Sequence, residues 1–472
     1  MPTVAARAQP PLAFIPPQFN PVVLQSLRYV MPWWIRWRTH LAQIQAEDVE
    51  RLVSAYQQFQ AGQTRVLIAF RHPSPDDAFC LAYLLWYLLP QKARRLKGAI
   101  AGTPHIHFIY DRGIPLWAGQ WLGWLYSRLG GTPIQRGKVD IMGLRSARQL
   151  FVNGQFPLAA APEGANNGHS EVVSPLEPGI AQLGFWCVED LRKAQREQAV
   201  MILPLGIQYH YVQPPWQAVA QLLTQLEAES GLSHAIEAGQ MQRLAAPLRE
   251  RYPLPEVATA LYARLLRLGE HLLSQMENYY REFYHVALSP LEATADDFNT
   301  HLAQRLDRLL SAALAVAEAY FKVTPQGSVI DRCRRIEQAG WDWIYRDELQ
   351  ADKAVSAVER GLADRIAEEA SLRMWHMRLV ESFVAVTGRY VLEKPTVERF
   401  AETVLLLRDT VARIQGRNPF PRPQLGRQRV QMRLGEPLFV SDRATAYRQN
   451  RRQAVADLTA DLQAALERLI LP

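Results

Sequence analysis

Between Arg65 and Tyr211 the sequence alternates two hydrophobic periods, and from there to about Pro423 only one of them continues. Short apolar runs read as buried strands: Arg65-Val-Leu-Ile-Ala-Phe70, His105-Ile-His-Phe-Ile-Tyr110, Pro133 to Gln135, Pro157 to Ala161 and Ala199 to Leu205. Helical spacing fills the gaps, over 76–89, 122–129, 140–151 and 187–196. This alternation constrains the fold most, because it predicts an α/β layer structure. From Pro214 to about Pro423 the chain reads as helix after helix, with apolar positions such as Leu261, Leu265, Leu266 and Leu268. That block predicts an antiparallel all-α bundle. The segment Asn418-Pro-Phe-Pro-Arg-Pro423 closes it as a linker. Arg429 to Leu434 then alternates like a strand, Gly435-Glu436-Pro437 turns, and a helix runs from about Thr445 to Leu471. A lone strand and helix cannot form a domain. They are expected to complete the α/β layer, with the bundle as an insertion.

The expected organisation is therefore an N-terminal helical segment over 1–60, the first part of an α/β domain over 61–213, a helical insertion over 214–425, and a closing strand and helix over 426–472. Within the first segment the initial ten residues read as a flexible start, and 21–60 as a helical stretch. There Val30, Met31, Trp33, Trp34, Ile35 and Trp37 crowd around Arg28, Arg36 and Arg38. Interleaved apolar and cationic residues suit a helix lying in a membrane interface; packing of the tryptophans on the protein's own core is the other reading. No signal peptide is read at the N-terminus, and no apolar window is long enough to predict a spanning helix. Any membrane contact is expected at the surface, as a peripheral protein on the cytoplasmic face.

A net charge of +7 suits anionic lipids, nucleic acid or phosphorylated substrates. The basic stretch Arg443 to Arg452 lacks the aromatic interleaving of a base-stacking platform, so no nucleic-acid partner is expected. The three cysteines, Cys80, Cys187 and Cys333, lie far apart, which argues against zinc clusters and disulfide frameworks.

The chemistry-bearing motif is Arg71-His72-Pro-Ser-Pro-Asp-Asp77, between the first strand and its helix. A His at a strand end and an Asp in the next helical turn can form a carboxylate–imidazole pair. The carboxylate keeps one ring nitrogen protonated, and the other can take a proton from a substrate hydroxyl. The bland alternative is a loop His beside a helix-capping Asp.

Further elements follow in order: Gly130-Gly131-Thr132-Pro133-Ile134-Gln135-Arg136, then Pro162-Glu163-Gly164, Leu176-Glu177-Pro178-Gly179, Val200 to Pro204, and Leu434 to Pro437. Together with His72 and Asp77 this pattern resembles the glycerolipid acyltransferase family, which includes lysophosphatidic acid acyltransferase. The resemblance covers Arg65 to Tyr211 and Arg429 to Leu471, and does not extend to the bundle. It implies an acyltransferase domain in which His72 and Asp77 are catalytic. Arg136, Glu163, Gly164, Gly131 and Pro204 would bind substrate, with Arg136 as a bidentate phosphate ligand. No cofactor and no metal are implied. The donor would be an acyl thioester of acyl carrier protein or coenzyme A. The acceptor would be a lysophospholipid, 1-acylglycerol 3-phosphate, giving phosphatidic acid. Transfer to glycerol 3-phosphate, another lysolipid or a neutral lipid is an alternative, as is a non-catalytic acyl-carrier-binding scaffold.

The sequence departs from the family pattern at Arg71, where Asn commonly precedes the His. It departs again at Ala165-Asn166-Asn167, where many members carry Thr-Arg-Ser, and in the bundle itself. Other constellations are set aside. His105 and His107 alternate on one strand without a third metal ligand nearby. Glu282 and His285 match one half of a di-iron motif whose second copy is missing. Gly130-Gly131 lacks the spacing of a nucleotide loop.

Overall fold

In the computed structural model, which describes residues 7–135, 140–232, 236–288, 298–350, 354–383 and 388–471, eight strands form one sheet. They are β1 (Leu41–Glu47), β2 (Thr64–Phe70), β3 (His107–Asp111), β4 (Gly131–Ile134), β5 (Leu158–Ala160), β6 (Ala199–Tyr211), β7 (Gln428–Leu434) and β8 (Leu438–Phe439). Their order is β1-β7-β6-β2-β5-β3-β4, with β8 also paired to β6. From β6 to β4 every neighbour is parallel. β7 and β8 run antiparallel to β6, and β1 runs parallel to β7. The fold is thus mixed α/β with a parallel-dominated sheet.

Side chains leave alternate faces of each strand. Val66 and Ile68 of β2, with Leu203, Leu205 and Ile207 of β6, join the core under the helices Pro21–Arg38, Val49–Gln60 and Asp77–Tyr83. Leu67 and Ala69, with Val200 and Ile202, join the opposite core under Ile141–Asn153, Gly179–Lys193 and Arg451–Glu467. Burial on both faces explains why β2 and β6 read as continuous apolar runs. Pro204 is tolerated in this central strand because β6 changes partner there. β8 pairs with Met201 and Ile202, β7 from Leu205 onward, and the missing N–H falls in the gap.

The chain divides into two compact units. One comprises Ala13–Val212 and Arg427–Pro472, and carries the sheet. The other comprises Gln213–Gly426 with the described residues before Ala13, and is helical. In the helical unit the longest elements are Glu256–Phe283, Phe298–Phe321 and Ala357–Glu381. Ion pairs from half-buried arginines to buried glutamates tie neighbouring helices, including Arg264–Glu227 at 2.6 Å and Arg332–Glu318 at 2.7 Å.

Two expectations for the N-terminus are corrected. The stretch 21–60 is not one helix. It is helix, strand β1 and helix, because Thr39 ends the first helix by donating its hydroxyl to Ile35 O at 2.7 Å and β7 offers an edge to pair with. The residues 7–12 are not a flexible start either. Ala8 is fully buried, Gln9 N donates to Ile344 O at 2.8 Å, and Arg346 N donates to Gln9 O at 2.9 Å. A segment 1–60 is therefore not a unit: its beginning packs with the helices and the remainder with the sheet.

Candidate active site

His72 follows β2, where Arg71 N still continues the ladder by donating to Leu205 O at 3.0 Å. Glu163 follows β5, and Gln135 follows β4. Because these strands are parallel, all three positions lie at the carboxyl edge of the sheet, where open α/β folds place their ligands. Arg136 lies outside the described residues.

His72 Nδ1 is 2.9 Å from Asp77 Oδ2. Asp77 has no exposed side-chain surface, whereas His72 keeps 30% of its own. The same carboxylate oxygen accepts from Ser74 N at 3.0 Å, which fixes the turn between strand and helix. A carboxylate can only accept, so Nδ1 carries a hydrogen, which in the neutral ring leaves the lone pair on Nε2. Asp77 Oδ1 accepts from the hydroxyl of Tyr209. Burial and the charge of Asp77 push the Tyr209 phenol well above its ordinary value, so it stays protonated. Cys80, one turn along the helix, is fully buried, and burial pushes its thiol well up. It has neither the exposure nor the thiolate a nucleophile needs. Burial, then Asp77, also raises Asp76, while His40 lowers it.

Glu163 reaches the pair from beneath. Its Oε1 accepts from His72 N at 2.9 Å; its Oε2 accepts from Asn167 Nδ2 at 2.7 Å and Ser174 N at 2.9 Å. The side chain is wholly buried, with Arg71 Nε 4.0 Å away and equally buried. Where the sequence suggests a substrate contact for Glu163, the structure shows its carboxylate buried and holding the backbone of His72. Arg71 in turn donates to the carbonyls of His169, Ser170 and Val172. The two local departures noted above, Arg71 and Asn167, belong to one network around Glu163.

Gly164 and Gly131 have backbone roles. Gly164 has φ of +71°, and a Cβ there would lie 2.3 Å from Glu177 Oε1. A Cβ on Gly131 would lie 2.6 Å from the Phe108 ring. Pro204 is covered by the chain at Gly435, whose N donates to its carbonyl at 2.8 Å.

His105 and His107 bond to backbone carbonyls, of Leu129 and Gly130, each at 2.9 Å. Burial lowers His105 to about 4, and lowers His107 as well. Among the described residues no three His, Cys, Asp or Glu side chains converge as a metal would need. Glu282 and His285 are exposed.

Sequence reasoning missed Tyr209, because the strand was ended at Leu205. Period-2 alternation carried on through Ile207 would have put Tyr209 on the face of the Asp77 helix. Comparison of the chain with protein-family models, curated proteins and solved structures finds no match.

Proposed function

We propose that the α/β unit is an O-acyltransferase with His72 as its general base. The observation that carries this is the His72–Asp77 pair: a buried carboxylate 2.9 Å from a partly exposed imidazole at the carboxyl edge of a parallel sheet. Support also comes from the resemblance of its motifs to the glycerolipid acyltransferase family. On this reading the α/β domain is interrupted by the helical unit.

His72 Nε2 takes the proton of an acceptor hydroxyl while Asp77 holds the ring and steadies the imidazolium. The oxygen attacks the carbonyl carbon of an acyl thioester. The tetrahedral intermediate collapses, the C–S bond breaks, and the imidazolium returns the proton to the leaving thiolate. An ester and a free thiol result, with no covalent acyl-enzyme. The donor is acyl carrier protein or coenzyme A thioester, and the acceptor is the sn-2 hydroxyl of 1-acylglycerol 3-phosphate.

A second acceptor is favoured by one observation. Asn166, where the family commonly carries the Arg, is a neutral amide whose Oδ1 accepts from Gly168 N at 2.8 Å. It supplies no cation to a phosphate, which supports a lysolipid or neutral lipid in its place.

Exposed aromatics support docking at a membrane surface. Tyr29, Trp33 and Trp37 on Pro21–Arg38 are each more than two-thirds exposed, opposite the buried Leu24, Met31 and Ile35. Trp121 and Trp124 stand exposed on Gln120–Arg128, which leads back into β4, and Ile141 and Met142 stand exposed where the next helix leaves it. Those two elements begin at the edge that carries His72. Arg28, Arg36 and Arg38 flank the first group, as anionic headgroups favour. No helix among the described residues is long and apolar enough to span a membrane.

The test supplies labelled acyl thioester with lysophosphatidate, glycerol 3-phosphate and neutral lysolipids to the full chain and to His72→Ala. Ester formation lost in the variant supports the mechanism, and the preferred acceptor decides between the two readings. Equal transfer by both proteins would sink it.

A further inference from the structure

β6 continues from Leu205 to Tyr211 after its pairing with β2 has ended at Phe70. β7 supports this extension from the other side, in register from Leu205↔Leu434 to Tyr211↔Gln428. Ile207 and Tyr209 on the extension pack into the same core as Cys80 and Leu81 of the helix that Asp77 begins. Tyr209 is 3% exposed. Its hydroxyl donates to Asp77 Oδ1 and lies 3.5 Å from Cys80 Sγ. Its N donates to Ser170 Oγ at 3.4 Å, and the carbonyl of Ser170 takes Arg71.

We propose that Tyr209 is a positioning residue for the His72–Asp77 pair, locking the carboxylate and moderating the charge it presents to the imidazole. The proposal rests on the reading of His72 as the base. Its logic is that of a shared acceptor. Asp77 divides its charge between His72 Nδ1, Ser74 N and the Tyr209 hydroxyl. Two of these donors come from the same tight turn as the carboxylate, and the third comes from β6. Tyr209 therefore ties the orientation of Asp77 directly to a strand of the sheet. The other titratable or charged groups near the pair are Asp76 and Cys80 on the helix, Arg71 and Glu163 below His72, and His40 beside Asp76. The Cys80 thiol lies against the Tyr209 hydroxyl, and the hydroxyl is what bonds to the carboxylate.

Removing the hydroxyl concentrates the charge of Asp77 on His72. The imidazolium is then held more tightly and the base is released at higher pH. The test titrates the His72 imidazole by NMR in the full chain with labelled histidine, the signal being identified by its loss in His72→Ala. Tyr209→Phe is expected to raise the midpoint by about half a pH unit, about threefold in the protonation equilibrium. It should lower kcat about tenfold with little change in KM for the acyl thioester, and the acid limb of the kcat profile should move up with the midpoint. Fluorotyrosine at position 209 keeps the hydroxyl and makes it a stronger donor, so it should move the midpoint down. This arm also stands if Tyr209→Phe does not fold. Tyr56→Phe removes another buried phenol, one that donates to His105 O. It should lower the melting temperature and leave His72 unmoved. An unchanged His72 midpoint in both Tyr209 variants, or an equal shift in Tyr56→Phe, overturns the proposal. Absence of acyl transfer by the wild type with every acceptor overturns the enzymatic reading instead, and leaves the titration result standing.

Discussion

His72 in the α/β unit and His376 in the helical unit are both engaged through Nδ1, the first by Asp77 at 2.9 Å and the second by the Tyr280 hydroxyl at 2.6 Å. The resemblance ends there. His376 is 1% exposed among Tyr280, Tyr284 and Trp375, and its Nε2 has no hydrogen-bond partner among the described residues. Burial lowers it to about 4, so it is neutral at physiological pH. His72 keeps an exposed face and a carboxylate that steadies its charged form. A hydrogen-bonded histidine is thus not enough for a site. The ring must reach solvent at one nitrogen and meet an acceptor of fixed charge at the other.

The sharpest way to break this comparison is to delete each ring. His72→Ala should lower acyl transfer by about a thousandfold or more with a nearly unchanged melting temperature. His376→Ala should do the reverse, costing about 2–3 kcal/mol of stability through the cavity and the stranded Tyr280 hydroxyl, with transfer per folded molecule retained. Loss of transfer in folded His376→Ala would join the two histidines in one function.

Arg71→Met probes the scaffold under His72. It strands Glu163 and three loop carbonyls, so unfolding should become easier by about 3–5 kcal/mol, read by chemical denaturation of the α/β unit. Glu163→Gln keeps an acceptor for His72 N and should cost less.

Acid distinguishes the two units in another way. The folded-state value of His376, about 4, lies below the ordinary 6.5 of an unfolded chain. Above pH 6.5 neither state binds the proton and nothing is lost. As pH falls from 6.5 to about 4 the unfolded state takes up a proton that the native state refuses, so stability declines, by at most about 3 kcal/mol. His105 imposes the same trend on the α/β unit. Melting curves across that window should flatten for the helical unit in His376→Phe and stay steep for the α/β unit.

The smallest expected effect concerns the exposed tryptophans. The double variant Trp33→Ser, Trp37→Ser should fold normally and bind anionic vesicles about tenfold more weakly. Unchanged sedimentation with vesicles would remove the membrane from the account of this helix.

Much of the fold was legible because its signals are local. The strand β2 announces itself in Arg65 to Phe70, and the helices 256–283 and 298–321 in their apolar spacing. The His72–Asp77 pair was legible for the same reason: both residues sit in one strand-to-helix turn, and the distance between them follows from five positions of chain. β1 was not legible. Leu-Ala-Gln-Ile-Gln-Ala-Glu is composed mostly of good helix formers, and it becomes a strand because Gln428–Leu434 lies alongside.

The sequence by itself determined the two textures of the chain, the His72–Asp77 pair, and the apolar face of Pro21–Arg38. Each depends on residues within a few turns of one another. The tertiary structure alone decided that Glu163 faces inward to His72 N, that Gly164 makes room for Glu177, and that Tyr209 closes on Asp77 from a strand 132 positions away. Such contacts exist only once the parallel strands have set their carboxyl ends side by side, and no local period records which loop will lie above which.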